Sequence, residues 1–181
     1  MNVSLLLLDP LIVNAAAAAA GIVLIAGAID KLRDLELFRY AVENYRLLGS
    51  RGAALFAPLF AVTELLGGCG LVVESTRPLA LWLALAVMLL ATGGVALNLL
   101  RGLDRIECGC GTGGQRISWG LVARNVCLIA AIAVGAAAEV PRQLGPVDYF
   151  SVAGAVLALL AIYASANQLL ANQPLLKELQ S

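Results

Sequence analysis

The feature that most limits the fold of this chain is a series of apolar segments, each about 20 residues long. A helix needs that many mainly apolar residues to cross the hydrocarbon core of a bilayer. Only 13% of the 181 residues are charged, which is about half the share that soluble domains carry. The sequence therefore predicts a single domain, an all-α integral membrane bundle with about five transmembrane helices, at residues 5–29, 53–73, 79–100, 117–138 and 150–170.

The segment between the first two apolar stretches is too polar to span a membrane. Apolar side chains recur in it at helical spacing, at Leu35, Phe38, Val42 and Tyr45, and charged side chains form a neighbouring stripe. This pattern predicts an amphipathic helix that lies in the membrane interface at about residues 31–49. An ordinary solvated connector is the alternative interpretation.

Composition excludes several classes of chemistry. The chain has no histidine, which removes histidine-based acid–base catalysis, histidine-containing triads and histidine ligands for a metal or haem. Its net charge is zero, so a nucleic-acid partner is not expected. The remaining chemistry must come from cysteines, carboxylates, basic side chains, hydroxyls or a bound cofactor.

A Cys-Gly-Cys pair, Cys108 and Cys110, lies in a glycine-rich loop at about residues 101–116. A disulfide across one intervening residue closes a small, strained ring, and strain raises the reduction potential, so that such a disulfide readily oxidises other dithiols. The cationic side chains of Arg105 and Arg116 are expected to stabilise the thiolates. We therefore predict a redox loop with Cys108 and Cys110 as its catalytic residues, and no metal. The alternatives are a metal site completed by acidic or second-subunit ligands and a structural turn with incidental cysteines.

Polar residues inside the predicted helices form a second candidate region. Glu64 and Arg124 are each expected roughly 10–17 Å below the surface that carries the cysteine loop, at a rise of 1.5 Å per residue. Charges at that depth indicate either helix pairing or function, and a Glu64–Arg124 pair is expected, with Asn98 and Asn167 near the same face. A disulfide donor must be reoxidised, and the acceptor available in a membrane is a quinone bound between helices. The lining predicted for a quinone consists of Asn98, Arg124 and Asn125.

Three stretches of the sequence together resemble one family of membrane proteins. They are CGCG followed by ISWGLVARN, AIDKLRDLELFRYAVENYRLLG with Lys31 and Tyr45, and APLFAVTELLGGCGLVV with Glu64. They resemble the methylamine utilisation protein MauE family, a branch of the wider DoxX-like membrane proteins, and the resemblance covers nearly the whole chain. Gly111 departs from the aromatic residue that commonly follows the second cysteine in that family.

The resemblance implies a role in the maturation of methylamine dehydrogenase, whose small subunit is periplasmic and dense in disulfides. It also implies a membrane-anchored, thioredoxin-like partner of the MauD type, with which Cys108 and Cys110 would exchange disulfides. The bundle and its interfacial helix are similar in architecture to membrane oxidases of the vitamin K epoxide reductase and DsbB type. Two alternatives remain: a non-catalytic scaffold or chaperone that positions the thioredoxin-like partner, and a transporter for a small solute or subunit.

Two arguments disagree about the side of the membrane that the cysteine loop faces. Disulfide formation belongs in the oxidising periplasm, since cytosolic thiols are kept reduced. The positive-inside rule instead points to the cytosol. It does so because the loop's side is predicted to carry Lys31, Arg33, Arg39, Arg46, Arg51, Arg101, Arg105, Arg116 and Lys177, against Arg77 and Arg142 on the other side. We expect a bacterial inner-membrane protein whose cysteine loop faces the periplasm.

Overall fold

The protein is a bundle of α-helices, as its apolar segments predict. A computed structural model describes residues 8–103, 106, 116–137 and 140–178, with side chains up to residue 172. Within these residues there are helices and no strands, which confirms the all-α fold class. The helices are α1 (Pro10–Arg33), α2 (Leu35–Asn44), α3 (Ser50–Val72), α4 (Arg77–Leu100), α5 (Trp119–Val134) and α6 (Pro146–Glu178), and a 3₁₀ turn at Glu74–Thr76 joins α3 to α4.

The helices have the length and composition of a multi-pass membrane protein. In the described part of the chain, four helices are long and apolar enough to cross a membrane, and α5 is a shorter apolar helix of 16 residues. Helices α1, α4 and α6 begin at one end of the bundle, whereas α3 and α5 begin at the other. We call the second end the loop end, because residues 101–118 connect α4 to α5 there.

Helix α1 begins and ends later than the predicted span at residues 5–29. Its start is fixed by Asp9, whose carboxylate accepts a 2.9 Å hydrogen bond from the first turn of the helix, and by Pro10, whose missing N–H costs nothing at the first helical position. At the loop end, α1 continues one turn beyond residue 29. Lys31, expected at the start of the interfacial helix, is therefore a buried residue of α1.

Helix α2 is the amphipathic segment and is shorter than the predicted helix at residues 31–49. Asp34 caps it by accepting a 2.9 Å hydrogen bond from the backbone N–H of Leu37. Its apolar face packs on α3, where the rings of Phe38 and Phe60 lie 5.7 Å apart. The side chain of Tyr40 is exposed. Helix α2 therefore covers the part of α3 nearest the loop end.

Small residues let α1, α3 and α4 approach one another closely. A Cβ atom on Gly21 of α1 would lie 2.8 Å from the carbonyl oxygen of Gly68 in α3. A Cβ atom on Gly67 would lie 3.1 Å from the backbone nitrogen of Ala84 in α4. Packing of this kind drives helix association in lipid, where burial of apolar side chains gains little because the lipid tails are equally apolar.

Helices α5 and α6 differ from their predicted spans at residues 117–138 and 150–170. Helix α5 begins after Ser118, whose hydroxyl oxygen accepts a 3.3 Å hydrogen bond from the backbone N–H of Leu121. Helix α6 begins four residues earlier than predicted and continues to residue 178, and it packs on α1 through Val156. Helix α5 packs mainly on α4 and α1, and α6 packs mainly on α1.

Polar contacts join the helices at the end opposite the loop end. The guanidinium of Arg142 donates hydrogen bonds of 3.1 Å to both Asp9 and Asp148, which ties the start of α1 to the start of α6. The bond from Arg142 holds the pKa of the Asp9 carboxyl below its ordinary value. Arg77 of α4 is buried and donates a 2.8 Å hydrogen bond to the side-chain oxygen of Asn14 in α1.

Candidate functional site

A buried ion pair lies between α1 and α3 in the half of the bundle nearest the loop end. The ammonium nitrogen of Lys31 lies 2.8 Å from Oε2 and 3.1 Å from Oε1 of Glu64. Their side chains are 5% and 8% exposed, respectively. The Lys31 ammonium also donates a 3.1 Å hydrogen bond to the carbonyl oxygen of Gly27, one turn earlier in α1. Both charges are thus compensated inside the bundle.

The surroundings of this pair fix its position. The Lys31 nitrogen lies 5.6 Å from the ring centre of Phe38 and 5.9 Å from that of Phe60, distances at which a cation is attracted to an aromatic face. Gly27 leaves the space that the pair occupies, because a Cβ atom there would lie 3.2 Å from Oε1 of Glu64. Helices α1, α2 and α3 therefore each contribute to the placement of one ammonium group.

A second polar cluster lies between α5 and α6. The guanidinium of Arg124 donates a 2.6 Å hydrogen bond to Oδ1 of Asn167 and a 2.9 Å hydrogen bond to Oδ1 of Asn125. Its central carbon lies 5.5 Å from the ring centre of Tyr163. Within the described residues no carboxylate pairs with Arg124, so its positive charge is held by neutral amide oxygens and an aromatic ring.

Both clusters line one cavity. Its volume is about 490 Å³, within the range of sites for small organic molecules. Most of the wall is aliphatic and aromatic, from α1, α2, α3, α4, α5 and α6. The polar and titratable side chains in the wall are Asp30, Lys31, Tyr45, Glu64, Arg124, Asn125, Tyr163 and Asn167. A wall of this kind, mainly apolar with a few polar side chains, is typical of binding sites for small organic molecules.

The contacts of Glu64 and Arg124 differ from the expected pair. Glu64 lies against Lys31 instead, and Arg124 bonds to Asn125 and Asn167, although Glu64 and Arg124 line the same cavity. Depth along the helices places both charges at similar levels, but the direction in which each side chain leaves its helix decides which groups meet. The expectation of a direct Glu64–Arg124 pair was wrong.

The predicted quinone-lining residues separate into two groups. Arg124 and Asn125 line the cavity, and Asn98 does not. Asn98 is fully buried in α4 and donates a 2.9 Å hydrogen bond to the carbonyl oxygen of Gly94, one turn earlier. Its side-chain oxygen has no hydrogen-bond partner among the described residues. The polar residues of the cavity wall that were not predicted as part of a site are Lys31, Asp30, Tyr45 and Tyr163.

Two residues that flank the cysteine pair in the sequence, Ile106 and Ile117, pack beside this cavity. Arg105, Cys108 and Cys110 lie outside the described residues. The backbone N–H of Ile117 donates a 3.0 Å hydrogen bond to the carbonyl oxygen of Ile106, which brings the two flanks of the loop together. These flanks pack in one apolar cluster with Val95 and Tyr45, and those two residues also line the cavity.

Other cysteine and arginine residues lie away from the cavity lining. Arg116, expected to support the thiolates, is exposed next to the buried Ile117. Cys69 in α3 and Cys127 in α5 are free thiols with exposed side chains. These two cysteines therefore serve as matched controls for Cys108 and Cys110.

Comparison with known proteins identifies the family. The model of the family described as methylamine utilisation protein MauE matches residues 9–138. The chain belongs to the MauE family. A MauE protein of Paracoccus denitrificans is 36% identical over 168 residues, covering 90% of this chain and 89% of the relative. A MauE protein of Paracoccus versutus is 38% identical over 167 residues, covering 89% and 88%.

The relationship extends to a further genus. A MauE protein of Methylorubrum extorquens is 36% identical over 165 residues, and the match covers 89% of both chains. No solved structure matches the chain. Membership of the MauE family confirms the resemblance seen in the sequence and indicates involvement in methylamine utilisation.

Proposed function

We propose that this multi-pass membrane protein forms disulfides in the bacterial inner membrane by thiol–disulfide exchange at Cys108 and Cys110. The oxidised pair would accept electrons from a thioredoxin-like, membrane-anchored partner of the MauD type. That partner would in turn oxidise the small subunit of methylamine dehydrogenase or another periplasmic dithiol protein. The observation that carries the proposal is that Ile106 and Ile117, which flank the Cys-Gly-Cys segment in the sequence, pack against Val95 and Tyr45 of the cavity wall.

The second part of this proposal concerns the electron acceptor, which would bind in the cavity. Two thiols that form a disulfide release two electrons and two protons, and a quinone that accepts them becomes a quinol. The cavity fits a quinone because its walls are mainly apolar and Arg124 and Asn125 place polar nitrogen groups at its edge. Of the predicted lining residues, these two are the ones that we retain.

The test compares two matched pairs of cysteine substitutions in a bacterium that grows on methylamine. We expect Cys108→Ser with Cys110→Ser to leave the dehydrogenase small subunit reduced, as measured by alkylation of its free thiols. Cys69→Ser with Cys127→Ser removes two exposed thiols elsewhere and should leave the subunit fully oxidised. A small subunit that is fully oxidised in the loop variant would contradict the exchange reaction and support the non-catalytic scaffold.

A single substitution provides a direct test of exchange with a partner. In Cys110→Ser, the remaining Cys108 thiol cannot close the ring, so a mixed disulfide with the thioredoxin-like partner should accumulate. Alkylation under acid quench followed by non-reducing electrophoresis would detect that species. Its absence in both Cys108→Ser and Cys110→Ser would contradict direct exchange.

The periplasmic location of the loop is tested by labelling. In intact cells of the Cys69→Ser/Cys127→Ser variant, an impermeant maleimide should modify Cys108 and Cys110 after mild reduction. Labelling that requires cell lysis would place the loop in the cytosol, as the distribution of basic residues suggests. A redox function in the periplasm would then be wrong.

A further inference from the structure

The Lys31–Glu64 pair is more polar than a purely structural contact in this position requires. Ionisable groups inside a membrane helix bundle are expensive, and they commonly mark ligand or proton pathways. Replacing a buried ion pair by apolar side chains of similar volume is often neutral or stabilising. A structural role alone would thus be served equally well by two apolar residues. Both residues of the pair also belong to the lining of the cavity.

The cavity has cationic groups on two different walls. The Lys31 ammonium is supplied from α1 and is held by Glu64 of α3, whereas the Arg124 guanidinium is supplied from α5. Arg124 has neutral acceptors only, within the described residues, and therefore retains an attraction for an electron-rich oxygen. A ring with an oxygen atom at each end offers one acceptor to each of these two cationic groups.

We propose that the Lys31–Glu64 pair is a second polar contact of the quinone site, in addition to Arg124, and supplies a proton there. This inference rests on the function proposed above and adds Lys31, which the sequence did not indicate as a site residue, to Glu64, which it did. One quinone oxygen is held at Arg124, and the opposite oxygen accepts a hydrogen bond from Nζ of Lys31, which exchanges its bond to the Gly27 carbonyl oxygen for this one. Glu64 positions the ammonium group through its two carboxylate oxygens.

The reaction balances with the cysteine pair as the reductant. The dithiol of Cys108 and Cys110 forms an S–S bond and gives up two electrons and two protons, and the quinone takes up two electrons. Its oxygen at Lys31 takes the ammonium proton, and the other oxygen takes a proton from water. Lys31 and the water recover these two protons from the pair that the thiols release, so the net change is dithiol plus quinone giving disulfide plus quinol.

The decisive variant replaces both partners, Lys31→Met with Glu64→Met, in the full-length protein purified in detergent. The two apolar side chains should preserve the fold, and they remove the polar contact that Lys31 offers to the quinone. We expect the affinity for a short-tailed ubiquinone analogue, measured by calorimetric titration, to fall by about 10- to 100-fold, the value of losing a hydrogen bond to a charged donor. Arg77→Met is the matched control, because Arg77 is a buried cation that does not line the cavity.

A second measurement separates binding from thiol chemistry. The protein is reduced, freed of reductant, and mixed with the quinone analogue under anaerobic conditions, and quinol formation is followed by absorbance. The quinone concentration that gives half the maximal rate of this single turnover, its apparent KM, should be higher in the double Met variant than in the wild type. In a Cys110→Ser background it should still trap the thioredoxin-like partner as a mixed disulfide. Arg77→Met should match the wild type in both measurements.

The outcomes distinguish this inference from the proposed function. Wild-type quinone affinity and KM in the double Met variant would overturn the role of Lys31 and Glu64. Absence of quinone binding by the wild type, combined with loss of disulfide formation in the cysteine variants, would overturn the quinone site and leave thiol exchange intact. Failure of the cysteine variants to change disulfide formation would instead overturn the proposed function.

Discussion

The contact between Gly21 and Gly68 predicts that a single methyl group will separate α1 from α3. In Gly21→Ala the new Cβ atom would lie 2.8 Å from the Gly68 carbonyl oxygen and 2.9 Å from a methyl carbon of Val72. Ordinary contacts begin near 3.4 Å, so the helices must separate locally by about half an ångström. The obstructing oxygen belongs to the backbone, and rotation of a side chain cannot relieve it.

The expected magnitude combines two opposing terms. Overpacking of a tightly packed interior typically costs about 1–3 kcal/mol. Alanine is favoured over glycine within a helix by up to about 1 kcal/mol. With the full offset, we therefore expect Gly21→Ala to lower the free energy of unfolding by up to about 2 kcal/mol.

Gly154→Ala in α6 isolates the helix-propensity term. A Cβ atom at Gly154 would meet nothing within 4 Å, so only the intrinsic preference for alanine should remain. Equilibrium unfolding of the full-length protein in mixed detergent micelles, followed by far-ultraviolet circular dichroism, measures both variants. If Gly21→Ala were as stable as Gly154→Ala, close packing of α1 on α3 would not be a source of stability, and this reasoning would fail.

Three further predictions follow from local contacts. Gly27→Ala should displace the neighbouring ion pair and weaken quinone binding by less than the double Met substitution does, as measured by calorimetry. Ser118→Ala should cost about 1 kcal/mol in micellar unfolding through loss of the α5 N-cap, whereas Ser118→Asp, which also caps, should cost little. The folded-state pKa of Asp9 is lower than the unfolded value of 3.8, so its stabilisation is present above pH 3.8 and is lost as pH falls through the folded pKa. Melting temperatures measured across that range should depend less on pH in Arg142→Gln, and an unchanged dependence would contradict a contribution from this contact.

The helical fold could be predicted because it follows from hydropathy and segment length alone. The boundaries could not, since they depend on local capping and on tertiary partners. The N-cap at Asp9 starts α1 five residues after the apolar pattern begins. At its other end, α1 runs past residue 29 because the charge of Lys31 finds a partner in α3, whereas a hydropathy pattern treats any lysine as the end of a span.

The candidate site was predictable in part for a related reason. The sequence identified Glu64 and Arg124 as buried charges, and both line the cavity, but it paired them with each other. A signal for Lys31 was present, because Leu24, Ala28 and Lys31 occur at helical spacing and are all buried on one face of α1. Extending that row past the expected end of the helix would have placed the lysine inside the bundle.

The close helix contacts and the polar cavity are linked by energetics. The buried pair at Lys31 and Glu64 contributes little net stability because desolvation offsets the attraction between the charges. The bundle must therefore be held together elsewhere, and the contacts around Gly21 and Gly68 lie on the same two helices, on the side of the pair away from the loop end. Removing the pair should leave the free energy of unfolding unchanged or higher while the affinity for quinone falls. Gly21→Ala should instead lower the free energy of unfolding. The double Met variant should thus lose binding without losing stability, whereas Gly21→Ala should lose stability. This difference is expected if close packing stabilises the two helices and the ion pair serves function.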